Sequence, residues 1–143
     1  MMKYIIIIFV FFGLCFSSSA EKNNYFDEAK MLFEEEKYEE SKFLFQRNIV
    51  YNPKDAESYL YLSKIFILEE NKSEQEKNIN TTLLLDPKHE EAMYLLIDIE
   101  LKRSNFSKAE ELKKNFTMIC SVMCEKLTSI NTRLKEFEKK DAS

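Results

Sequence analysis

From Tyr25 onward, apolar residues recur at intervals of three and four, the spacing that lines one face of an α-helix. Tyr25, Ala29 and Leu32 form one stripe, and Ser41, Phe45 and Ile49 form the next. Lys37 and Tyr38 mark the turn between them, so the spacing predicts helices over 25–35 and 39–51. Tyr59, Leu62, Ser63 and Phe66 lie on a third helix; Asn71, Lys72 and Ser73 mark a polar turn, and Ile79 and Leu83 continue on a fourth. Met93, Leu96 and Ile97 open a fifth, Asn105 and Phe106 mark its turn, and Ala109, Leu112 and Phe116 line a sixth. Leu127, Ile130, Leu134 and Phe137 give a last amphipathic helix over about 125–139. With one Gly and two Pro among 143 residues, there are too few turn signals for a sheet protein. The pattern predicts an all-α chain.

The first twenty residues follow another rule. Lys3 gives a positive start, Tyr4 to Phe16 is an almost unbroken apolar run of 13, and Ser17, Ser18, Ser19 and Ala20 follow. That order predicts a secretory signal over residues 1–20, cleaved after Ala20. A retained anchor is an alternative, although a membrane-spanning helix needs about 20 apolar residues. Cys15 raises a third reading, lipidation, but the bulky Leu14 before it departs from the Leu-x-small-Cys pattern that lipoprotein signals resemble. The expected location is therefore outside the cytoplasm, in a bacterial periplasm, with secretion or a membrane anchor as alternatives.

The two prolines set a period. Pro53 in IVYNPKDAE and Pro87 in LLLDPKHEEA stand 34 residues apart, each after an apolar helix and an Asn or Asp. That interval is the length of a tetratricopeptide repeat, and the chain resembles that family over about residues 23–116. The resemblance implies a tetratricopeptide-like α-solenoid of about three helix hairpins plus a C-terminal capping helix. The repeats would occupy 22–55, 56–89 and 90–119, within 21–119, and residues 120–143 would hold a cysteine-bearing turn and the cap. Three positions depart from the family pattern: Gln75 stands where Ala is usual, Ile97 where a small residue is usual, and Glu100 where a bulky one is usual.

The family frame also implies a binding surface. Tetratricopeptide stacks bind through a concave face built by the first helix of each hairpin. Here that frame assigns Phe26, Lys30 and Phe33, then Leu60, Lys64 and Ile67, then Tyr94, Asp98 and Leu101. Some members clamp a peptide's terminal carboxylate, but Phe26 replaces the expected Lys and Lys30 the expected Asn. An apolar groove of this kind suits an amphipathic helix or an extended peptide, or serves the protein's own packing. The implied partner is a protein or peptide, and the expected function is that of an adaptor or scaffold, not an enzyme; the alternative is a structural subunit or lipid-anchored component of an envelope assembly, and a thiol-active enzyme using the cysteine pair ranks behind both.

Cys120 and Cys124 are the cysteines left after export, and an oxidising compartment invites a disulfide between them. Residues four apart on a helix are about 5–6 Å apart, and a disulfide wants Cβ atoms about 3.8 Å apart. A bond therefore requires a turn there. The run Cys-x-x-x-Cys-Glu also resembles the ending of some small exported bacterial tetratricopeptide proteins, which implies a structural clip. A reduced pair on a continuous helix is the other reading; a redox or metal site fits poorly, because zinc needs two further ligands and His89 is the one histidine. No cofactor is expected: the single Gly, Gly13, lies in the signal, which excludes a Gly-rich phosphate loop. Loss of Lys3 with the signal would take the formal net charge from -4 to -5, which with no basic stripe argues against nucleic acid. Sequons at Asn71, Asn80, Asn105 and Asn115 would matter only in a eukaryotic secretory pathway.

Overall fold

A computed structural model describes residues 24–141, with side chains through residue 136. The expected signal, Cys15 and the Phe137 side chain lie outside the described residues. Among those described, seven helices follow one another: α1 (Tyr25–Glu34), α2 (Tyr38–Tyr51), α3 (Ala56–Leu68), α4 (Lys72–Leu85), α5 (Glu90–Lys102), α6 (Phe106–Ile119) and α7 (Lys126–Asp141). Each of the first six packs on its neighbour in sequence, and α7 packs on both α5 and α6. This is a solenoid of three hairpins closed by a further helix, the architecture that the 34-residue period predicts.

The period governs the backbone as well as the core. Every hairpin turn contains one residue in the left-handed region: Glu36 (φ 61°), Glu70 (φ 57°) and Ser104 (φ 59°), again 34 apart. Each turn closes with the same pair of bonds. Glu36 N–H donates to the Phe33 carbonyl (3.0 Å) and Lys37 N–H to that of Leu32 (2.9 Å), and the pattern recurs around Glu70 and Ser104. This two-bond closure satisfies carbonyls that the helix end leaves free. The loops between hairpins repeat too, with Asp55 N–H on the Asn52 carbonyl and His89 N–H on that of Asp86, both 3.1 Å. Pro53 and Pro87 fit there because both helices have ended and no ladder bond is lost.

The helices of the first hairpin approach closely at Ala29 and Ser41, both fully buried, and the Ser41 hydroxyl donates to the Ala29 carbonyl at 2.8 Å. Around them Phe45, Leu62, Ile65 and Phe66 form one core cluster. Leu60, Ile79, Ile97, Phe116, Ile130 and Leu134 belong to a second, so α3 is a wall shared by both. A buried phenylalanine such as Phe45 or Phe116 contributes about 2–3 kcal/mol through burial. Ile97 is fully buried despite its size, and nearly buried Glu100 accepts from the Asn105 amide at 2.8 Å, so neither departure from the family pattern disturbs the hairpin.

Between hairpins, Lys42 pairs with Glu69, and one period later Glu76 pairs with Arg103, the same contact with its signs exchanged. On α1, the first described helix, Glu28 is exposed, whereas its counterparts 34 and 68 residues on, Leu62 and Leu96, are buried.

Candidate partner groove and its C-terminal clasp

Rings carried by α1, α2 and α3 meet in one cluster. Tyr61 stacks on Phe45 with centroids 4.9 Å apart, and Phe26 and Phe33 meet it edge-on at 6.0 and 5.2 Å. Such pairs contribute about 0.5–1.5 kcal/mol beyond area burial. Phe26, Phe33 and Tyr61 are half-buried, so each is both part of the core and partly exposed. Lys64 lies 4.8 Å from the centre of the Tyr61 ring and pairs with Glu91 at 2.7 Å. Burial raises the Tyr61 phenol above its ordinary pKa, and the nearby carboxylates of Glu57, Glu34 and Glu91 push it the same way. Lys30 and Ile67 are exposed on the same two helices.

Two of the expected groove residues are not available. Leu60 and Leu101 are 1% and 2% exposed, inside the second core cluster. Both belong to the apolar cluster that residues of α4, α5, α6 and α7 complete. Tyr61, not singled out from the sequence, takes the central place in the ring cluster.

In the third hairpin the expected groove residues Tyr94 and Asp98 contact α6 and α7. Tyr94 is half-buried beside Phe116 (6.5 Å), with the Lys126 ammonium 5.8 Å from its ring centre. Asp98 pairs with Lys102 and Arg133, each at 2.7 Å. Burial works to raise the Asp98 pKa, but the hydrogen bonds from Lys102 and Arg133 outweigh it and hold the carboxyl below its usual value. Lys126 and Arg133 both belong to α7.

The chain reaches α7 through Cys120 and Cys124. The two are disulfide-paired, with Cα atoms 5.2 Å apart. Cys120 has left the helix (φ −62°, ψ 136°), which supplies the turn that such a bond requires. Between them the backbone N–H groups of Ser121, Val122 and Met123 converge on the carboxylate of Glu90, the first residue of α5, at 2.7, 3.1 and 2.8 Å, and the Ser121 hydroxyl adds a fourth donor at 2.6 Å. The Ser121 hydroxyl, then the Met123 N–H, lower the Glu90 pKa most, to about 2. A carboxyl depressed in the fold stabilises it above its unfolded pKa and ceases to do so as pH falls through its folded value. Glu90→Gln is therefore expected to be less stable than wild type at pH 7, with the difference shrinking below about 4.5 and vanishing as pH falls through about 2. Paired urea melts along that pH range measure it, and a difference that persists at pH 2 would contradict the assignment.

His89 stands at the start of α5, where its Nδ1 accepts from Ala92 N–H (3.3 Å) and its Nε2 contacts Glu57 (3.0 Å). That is a helix cap. Among the described residues no three His, Cys, Asp or Glu side chains cluster closely enough to hold a metal ion.

No family model matches the chain. No curated protein matches it either. Solved structures do. The Yersinia enterocolitica type III secretion chaperone SycD, in complex with a peptide of the translocator YopD, superposes with a TM-score of 0.68 at 16% identity, over 82% of this chain and 92% of that one. The first TPR of Spaghetti (RPAP3) bound to the HSP90 peptide SRMEEVD gives 0.66 at 11%, over 83% and 91%. The Sgt2 TPR domain from Aspergillus fumigatus gives 0.68 at 12%, over 85% and 83%. The chain thus has a tetratricopeptide-like fold.

Proposed function

From this fold and its ring cluster, we propose that the chain is an exported protein–protein interaction module, an adaptor that holds a peptide or helix of an envelope protein. The observation that carries the reading is the ring cluster of Phe26, Phe33 and Tyr61, half-buried and continued by the exposed Ile67. The charges around it are largely paired within the chain: Lys64 with Glu91, and Asp98 with Lys102 and Arg133. A partner therefore meets apolar ring surface more than free charge, which favours an amphipathic helix or an extended apolar segment. Two of the similar folds are named as complexes with peptides, which supports a peptide in this groove. The Glu-Glu-Val-Asp ending of the HSP90 peptide is acidic, and this chain has Phe26 where a carboxylate clamp would have Lys, so its peptide is of a different kind. The expected signal and the Cys120–Cys124 disulfide support an oxidising compartment outside the cytoplasm, taken as the periplasm.

Capture of partners from the envelope fraction tests the groove. Ile67→Glu, at a position 38% exposed, is expected to fold and lose the partner, with at least tenfold weaker binding. Phe33→Glu is expected to do the same, with a thermal melt to exclude unfolding. If folded variants retain the same partners, the groove is wrong.

A second reading, a structural subunit docked in a larger envelope assembly, has its own observation. Val50, Leu84 and Met118, again 34 apart on α2, α4 and α6, are 78%, 80% and 77% exposed. Leu84→Glu leaves the groove untouched and serves as the control: an assembly subunit would lose its concentration-dependent mass, whereas the adaptor would keep its partner.

A further inference from the structure

We propose that the Cys120–Cys124 disulfide is a thiol-sensitive clasp, whose reduction releases α7 and opens the third-hairpin end of the groove. The proposal rests on the groove reading only for what the opened surface would bind. The coupling itself is built from contacts on α5 and α7.

The bond closes a five-residue turn, and within it three successive N–H groups point at one carboxylate, Glu90. Holding three backbone donors in one direction requires fixed dihedrals at Ser121, Val122 and Met123, and a covalent link between the flanking residues restricts those dihedrals. The same turn starts the next helix: Lys126 N–H donates to the Met123 carbonyl (3.0 Å) and Leu127 N–H to that of Cys124 (3.1 Å). The turn therefore fixes where α7 begins. Beyond it, the described part of α7 is held by the buried Ile130 and Leu134, by the half-buried Leu127 and by its two cations at Tyr94 and Asp98. Among the described residues, that seat is small beside those of the other helices, each of which packs more extensively on its neighbours. A helix docked through few contacts occupies the low-stability end of a protein's local openings.

The chemistry is thiol–disulfide exchange. A dithiol reductant attacks one sulfur as its thiolate, the S–S bond breaks, and a mixed disulfide forms. The second thiol of the reductant then displaces the remaining sulfur. Cys120 and Cys124 end as two thiols, and the reductant as a disulfide. Cys124 is exposed and Cys120 half-buried, so attack begins from the Cys124 side. With the turn relaxed, Glu90 loses its converging donors, and α7 loses its fixed start. Lys126 and Arg133 then leave Tyr94 and Asp98, which join Phe26, Phe33 and Tyr61 on an accessible face.

Hydrogen exchange on the mature chain tests this, with and without dithiothreitol, complete reduction being verified by alkylation and mass. Reduction is expected to speed exchange across α7 by about tenfold or more while α1 to α4 keep their protection. Cys120→Ser/Cys124→Ser should match the reduced protein, and oxidised Glu90→Gln should shift α7 in the same direction. Radical labelling of Tyr94 should rise on reduction. Unchanged α7 exchange after full reduction overturns the clasp, and so does uniform loss of protection through every helix, which would mark global unfolding. Faster α7 exchange with unchanged Tyr94 labelling overturns the opening of the groove. None of these readouts involves a partner, so their failure is separable from a failure of the groove, which Ile67→Glu tests alone.

Discussion

Asn48→Ala is expected to destabilise the protein by about 2–3 kcal/mol, far more than an exposed substitution such as Asn80→Ala, which should stay within about 0.5 kcal/mol. Asn48 is 2% exposed near the end of α2, where it joins the first hairpin to the second. Its amide donates to Asp55 at 2.7 Å and to the Ser58 hydroxyl at 2.9 Å, and Ser58 itself donates to Asp55 at 2.6 Å. Asn52 in turn donates to the Asn48 oxygen at 3.3 Å. Truncation removes the centre of this network and leaves a cavity beside a carboxylate that has lost a donor. Urea denaturation gives the comparison directly. A loss below about 1 kcal/mol would mean that water takes the place of the amide.

The opposite sign is expected at the hairpin turns. Glu36→Gly, Glu70→Gly and Ser104→Gly each replace a side-chain-bearing residue at positive φ with the one residue that carries no steric penalty there. Each is expected to gain about 0.5–1 kcal/mol, and the three together about 2 kcal/mol, or roughly 5–10 °C in Tm. The sites lie in separate hairpins with no shared partner, so the gains should add. Thermal unfolding of the single and triple variants checks this. A neutral triple variant would show that greater freedom of glycine in the unfolded chain cancels the gain.

These two results mark what the sequence discloses and what it does not. The helices were legible because buried residues recur at three and four, and the hairpin order was legible because Pro53 and Pro87 fall one period apart. The left-handed turns were hidden, since glycine is the usual sign of positive φ and here two glutamates and a serine occupy those places. Asn48 was passed over because a polar residue on an apolar stripe reads as a surface position until its partners Asp55 and Ser58 are seen. On the groove, the family frame placed Phe26, Phe33, Lys64 and Ile67 near a shared face. It could not register that Leu60 and Leu101 enter the core or that Tyr61 joins the ring cluster. Glu90 carried no local signal at all, because its donors come from 31 residues or more further along the chain.

The carboxylate at position 28 has a bearing on how such a protein could be lengthened. A hairpin grafted ahead of α1 would have to seat itself over a glutamate side chain, where the two later modules offer leucine. Confining that charge against an apolar surface without a counter-ion is strongly unfavourable. An engineer seeking a four-module array should therefore splice the new unit between existing ones, or exchange Glu28 for leucine first; a simple head-on extension would give two bodies tethered side by side.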